Sequence, residues 1–144
     1  MSFVVTAKIF INDLGAFTQA CQKFNLHLDV SRKTFDAHTH DVPCDARIKW
    51  TKHPDAYQMG LVRSHQMEDG TIIAAPNGDG WTVSHDEWNG GNGMVEHVGR
   101  DCGLLMQEYG LVRAEQQAIS QGYSCERHQM ENGEIKLVAT ENAW

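Results

Sequence analysis

The chain has 144 residues, 41% hydrophobic and 22% charged, with a formal net charge of −7. That length suits one domain, residues 1–144, able to bury a core without disulfides or a structural metal, and no apolar run is long enough to cross a bilayer as a helix. The acidic balance, without clusters of Lys and Arg, argues against a nucleic-acid backbone as partner and favours another protein with a neutral or basic surface.

Phe3, Val5, Ala7, Ile9 and Ile11 alternate with Val4, Thr6, Lys8 and Phe10, which predicts an opening strand; its partly apolar second face predicts a central one. Asn12 or Asp13 is placed to cap a helix with the stripe Leu14, Phe17, Cys21 and Phe24, ended by Asn25 in a left-handed conformation. Leu26, Leu28 and Val30 form the next strand, and if the two strands are parallel their crossover is right-handed. From Ser31 to Pro54 the sequence turns polar and His-rich, with a short strand from Ala46 to Trp50. Tyr57 to Ser64 and Thr71 to Ala75 read as a hairpin around Asp69-Gly70, residues that accept the positive φ of a tight turn. The glycine-dense stretch from Pro76 to Gly93, carrying Trp81 and Trp88, predicts a long loop.

Met94 to Gln121 carries the strongest pattern. Val95, Val98, Cys102, Leu105, Tyr109, Val112 and Ile119 form one apolar stripe on a long helix, ended by Gly122. Gly99, Gly103 and Gly110 each cost about 1 kcal/mol in a helix interior. Either they let the helix approach a sheet closely, or the regular helix starts nearer Asp101. Arg100, Asp101, Glu108, Arg113 and Glu115 read as its solvated face. Tyr123 to Thr140 is a hairpin folded back toward the stripe around Asn132-Gly133. A two-residue turn pairs Met130 with Ile135 and splits the apolar set between two faces; a bulge near the turn shifts that parity by one residue.

Several of these segments resemble one family. The opening strand with Asp13 and Leu14 starting a helix, Gly60-Leu61-Val62-Arg63 followed by Asp69-Gly70, and Leu105-x-x-x-Tyr109-Gly110-Leu111 resemble the chloroplast ycf-thirty-five-like family. So do Ala114 through Gln121-Gly122-Tyr123 and Gly133-Glu134-Ile135-Lys136-Leu137-Val138. This family, also called domain of unknown function twelve-fifty-seven, occurs in cyanobacteria, algal plastids and bacteriophages. The resemblance covers both ends of the chain and its middle hairpin, and is most specific from Leu105 onward. It implies no reaction, cofactor or catalytic residue. The Asp36 to Pro54 and Trp81 to Gly93 stretches are longer than the family's compact version, and with the acidic charge they lead us to expect a phage protein.

Two constellations bear on chemistry. His38, His40 and Cys44 have ligand types and spacing suited to zinc, with His53 or His85 as a fourth, against the simpler reading of a polar loop. His85, Asp86 and Glu87 between Trp81 and Trp88 suggest acid–base machinery, but no nucleophile motif accompanies them. Trp81 and Trp88 in a loop read either as anchors for a partner or as a lid on the core. Gly78-x-Gly80 lacks the Lys-Ser or Lys-Thr of a phosphate loop. The N-terminus shows no secretion signal, so the expected location is the cytoplasm, where Cys21, Cys44, Cys102 and Cys125 are thiols.

The fold expected is an α+β, two-layer, ferredoxin-like sandwich: a mainly antiparallel sheet of five or six strands with two helices on one face. The function expected is non-catalytic: a protein-binding or regulatory protein using Trp81, His85, Asp86, Glu87 and Trp88, and, if phage-encoded, an acidic inhibitor of a host enzyme or defence complex. No cofactor is expected. The alternatives are a metal-dependent or acid–base enzyme built on His38, His40, Cys44 and His85, and homo-oligomerisation through a sheet edge.

Overall fold

A computed structural model describes residues 4–7, 9–37 and 40–141. The elements run β1 (Val4–Thr6), α1 (Leu14–Lys23), β2 (Leu26–Asp29), β3 (Thr34–Asp36), β4 (Asp41–Pro43), β5 (Ala46–Trp50), β6 (Met59–Gln66), β7 (Ile72–Ala74), β8 (Gly80–Asp86), α2 (Met94–Val98), α3 (Gly103–Ser120), β9 (Tyr123–Gln129) and β10 (Ile135–Glu141). The main sheet has the order β1-β8-β6-β5-β2, antiparallel at every step, with β7 paired to β6. β1 and β2 therefore point the same way from opposite edges, and α1 connects them.

The α+β expectation holds, with a mainly antiparallel sheet. Side chains alternate across the sheet, so Ala46, Ile48, Met59, Leu61 and Val83 share one face and form a single core with Phe17, Cys21, Leu105, Tyr109 and Val112 of the helices. Asp13 caps α1, its Oδ1 accepting the Ala16 N–H at 3.0 Å, and Asn25 at φ 57° ends it. Tyr109 ties the helices together: its hydroxyl accepts the Asn12 and Asp13 N–H groups at 3.1 and 3.2 Å, and its ring meets Phe17 edge-on.

The ferredoxin-like comparison reaches only the level of layers, because β1 is an edge strand and not the central one expected. Its ladder to β8 stops at Thr6, beyond which Ala7 N–H bonds the Val83 carbonyl at 2.8 Å and Ile11 bridges Trp81. Phe10, of the partly apolar second face that suggested a central strand, has another use: with Ile9 it lines a cleft against Met106 and Tyr109 of α3.

On the sheet face away from the helices lies an unexpected element. β3 and β4 form a small hairpin within the polar stretch, pairing Phe35 with Val42. Phe35 is fully buried, and the space for it is made at Gly60, where a Cβ would fall 2.4 Å from its ring and 2.7 Å from Cys44 Cβ.

The segment from Met94 to Gln121 is broken. Gly99 at φ 85° ends α2, and Asp101 and Cys102 are left-handed, at φ 55° and 59°, before α3 begins at Gly103. The close-approach reading of the glycines is also overturned, since a Cβ at Gly103 or Gly110 would meet nothing within 4 Å. The stripe is buried from Val98 through Val112, but Ile119 is 62% exposed because the helix runs on past the core.

β9 and β10 form a separate two-stranded sheet beside α3. The register places Leu137 opposite Arg127 and Ala139 opposite Cys125, one residue away from the two-residue turn. Gly133, at φ 86°, bulges the turn, which closes through Gly133 N–H to the Met130 carbonyl and Met130 N–H to the Glu134 carbonyl. Tyr123, Cys125, Ile135 and Leu137 thereby share one face.

The fit of Phe35 on Gly60 is testable. Phe35→Ala should cost about 3–5 kcal/mol in urea unfolding, and Gly60→Ala should also destabilise. The double variant should cost less than the sum, because the ring that meets the new methyl is gone.

Candidate functional site

The expected Trp81 to Gly93 loop is replaced by strand for half its length. Gly80–Asp86 forms β8 between β1 and β6, with Arg63 opposite Trp81, Leu61 opposite Val83 and Met59 opposite His85. The glycines that suggested a loop mark close approach: a Cβ at Gly78 would sit 2.0 Å from the Ser64 carbonyl oxygen, and one at Gly80 would sit 2.3 Å from the Phe10 ring. Trp81 lies at the start of β8 and Trp88 two residues beyond its end at Asp86. Trp81 packs partly against the core.

At the far end of β8, His85 is 4% exposed, and among the described residues neither ring nitrogen has a hydrogen-bond partner. Its Nε2 lies 3.9 Å from Glu87 Oε2, which accepts the Asp101 N–H at 3.3 Å. Cys102, buried beside this turn, directs its thiol to Met59 Sδ at 3.9 Å. Asp86, also buried, accepts the Trp88 N–H at 2.9 Å. Beyond Trp88, the residues from Asn89 to Asn92 are all left-handed. The run is tethered by Tyr57 N–H to the Gly91 carbonyl and by Asn92 Nδ2 to the Asp55 carbonyl. Left-handed asparagine, aspartate and cysteine each cost about 1 kcal/mol or more and persist only where the surroundings over-determine them.

Burial holds the His85 imidazole below its usual pKa, against the upward pull of Glu87, Asp101 and Asp86. Burial also pushes the Cys102 thiol up to about 12, as it does Cys21, so neither is a ready nucleophile. A neutral imidazole beside a carboxylate has the elements of proton transfer, but at 4% exposure the ring is closed to a reacting atom.

Of the three expected metal ligands, two are described. His38 lies outside the described residues. His40 is exposed at the start of β4, while Cys44 follows its end, roughly 13 Å further along. The Cys44 thiol points to the Arg32 carbonyl, and burial followed by the Asp45 charge raises its pKa. Cys44 sits by Gly60 and Phe35, on the sheet face opposite His85. Among the described residues, no three His, Cys, Asp or Glu side chains form a group able to hold a metal ion.

Sequence reasoning missed the ionic centre of α3. Glu108, assigned to the solvated face, is 6% exposed. Arg127 of β9 bonds both its oxygens, at 2.7 and 2.8 Å, and also reaches Glu115; Lys23 of α1 adds a bond to Glu108 at 3.0 Å. Burial raises the Glu108 pKa, but the Arg127 and Lys23 bonds outweigh it and hold the carboxyl below the usual range. The available signal was spacing, since residues seven apart share a helix face and Arg127 sits on the hairpin face with the apolar row.

Comparison with known proteins finds no family model, curated protein or solved structure that matches the chain.

Two measurements test this geometry. A histidine whose folded pKa is lowered contributes stability that is fully present above its unfolded pKa of about 6.5 and is lost as pH falls from there through the lower folded pKa. His85→Phe should therefore flatten the acid limb of a stability–pH curve and cost under about 1 kcal/mol at pH 7, since it removes two unpartnered nitrogens. Arg127→Leu should leave Glu108 short of its main partner, cost about 1–3 kcal/mol, and raise hydrogen exchange in β9 and β10 before the main sheet.

Proposed function

We propose that the chain is a non-catalytic regulatory protein that binds another protein, with the β9–β10 hairpin as its contact surface. The observation that supports this is the hairpin's composition: two seven-residue strands in which no residue is buried. Its inner apolar row of Tyr123, Cys125, Ile135 and Leu137 is only half covered, and Met130 at the tip is 45% exposed. Among the described residues each strand pairs with the other alone, which leaves an edge of each for strand addition. An isolated two-stranded hairpin is marginal in water, and the hold of α3 on Arg127 keeps this one presented.

Charge selects the partner. Glu126, Glu131, Glu134 and Glu141 are exposed on the hairpin against Lys136, which favours a basic surface. In a phage, that partner would be a host enzyme or defence complex whose basic nucleic-acid site the hairpin occupies. A second reading, an acid–base site at His85 and Glu87, is favoured only by the unpartnered imidazole.

Capture of a partner from host lysate tests the first reading. Wild type should retain a partner that elutes as salt rises, and a Glu131→Lys, Glu134→Lys variant with an unchanged circular dichroism spectrum should lose it. Equal capture by both chains would place the contact elsewhere.

A further inference from the structure

At the Trp81 end of β8, away from His85, a cleft of about 260 Å3 opens between the start of α1, the β2–β3 connection and the loop before β8. Its walls include Leu14, Val30, Lys33, Asp45, Arg63 and Trp81. Arg63 lies over Trp81, with its guanidinium carbon 4.7 Å from the ring centre, and its Nε donates to the Gly78 carbonyl at 2.6 Å. Lys33 Nζ donates to the Asp45 backbone carbonyl at 2.9 Å.

Both cations are thus held by carbonyls. Among the described residues, neither has a carboxylate at salt-bridge distance. Asp45 brings the single acidic side chain in the lining, and its Oδ2 accepts the Arg63 backbone N–H at 2.6 Å. Two cations and one anion leave the cleft with a net positive charge in a chain whose total is −7. Beside them stand apolar surfaces with little cover, above all Val30 at 63% exposure.

We propose that this cleft binds a small organic anion, a carboxylate carried on a flat apolar body. The Trp81 stack and the Gly78 bond fix the plane of the Arg63 guanidinium in advance, so its fork meets a carboxylate with little ordering cost. Lys33 adds a second charge, and Leu14, Val30 and Trp81 take the apolar body. The volume lies just below the usual range of ligand pockets, roughly 300–1,000 Å3, which suits a single-ring acid and not a nucleotide. Asp45 in the lining favours a monoanion over a phosphate dianion.

Benzoate is the probe, followed by 1H–15N NMR at the Trp81 indole N–H and the Arg63 Nε–H, with the indole assigned by its loss in Trp81→Phe. Benzoate should shift both resonances saturably, while benzamide, of the same shape without charge, and inorganic phosphate, charged without the ring, should bind at least tenfold more weakly. Arg63→Gln should weaken benzoate binding at least tenfold. Lys33→Gln, an exposed change outside the core, should weaken it several-fold and serves if the first variant fails to fold. The proposal is overturned by the absence of saturable shifts at these two groups, by benzamide or phosphate matching benzoate, or by unchanged affinity in Lys33→Gln.

Discussion

The arrangement of the C-terminal half depends on one carboxylate. Glu108 lies on the core-facing side of α3, where an isolated charge is costly to remove from water. Three elements converge to meet that cost: α3 bears the carboxylate, β9 returns to bond both oxygens through Arg127, and α1 sends Lys23 to one of them. The apolar contacts of the hairpin are too few to hold it alone, as the half-exposure of Ile135 and Leu137 indicates. Charge pairing therefore positions the hairpin, while apolar burial positions the helices on the sheet.

Backbone constraint does comparable work around β8. The strand enters through Gly78 and Gly80, which tolerate carbonyl and ring contacts no side chain would, and leaves through left-handed turns that bring Asp101 toward Glu87 and His85. Close approach at one end and strain at the other pin the strand between β1 and β6. The two ends consequently offer different chemistry: Trp81 borders an accessible, positively charged cleft, whereas His85 is enclosed with carboxylates near it and no hydrogen bond made.

Local signals were legible where they were self-contained. The Asp13 cap, the left-handed Asn25, the apolar side of α3 and the turns at Gly70 and Gly133 all depend on a few neighbouring residues, and each lies where the pattern put it. What escaped depends on distant partners. Gly60 and Phe35 are complementary across 25 positions, Arg127 and Glu108 across 19, and nothing in either short stretch names the other. Glycine density from Gly78 to Gly93 mixes two physical causes, close approach before β8 and positive φ after it, and a one-dimensional pattern reads both as loop. The site residues suffered the same ambiguity: a shared stretch of sequence became two ends of a strand.

The distribution of charge then bears on function more than its total does. A net charge of −7 suggests a uniformly acidic surface, yet Glu108 and Glu115 are held by Arg127, while Lys33 and Arg63 are left without carboxylate partners on another face. On the hairpin, Glu131, Glu134 and Glu141 stay exposed, and Glu126 pairs with His128 at 3.2 Å. On the two readings proposed above, the hairpin carboxylates would meet a basic macromolecule and the cleft near Trp81 a small anion, the latter where local charge opposes the global field. Because Debye screening fades the global term within about 10 Å at moderate salt, each surface answers mainly to its own side chains.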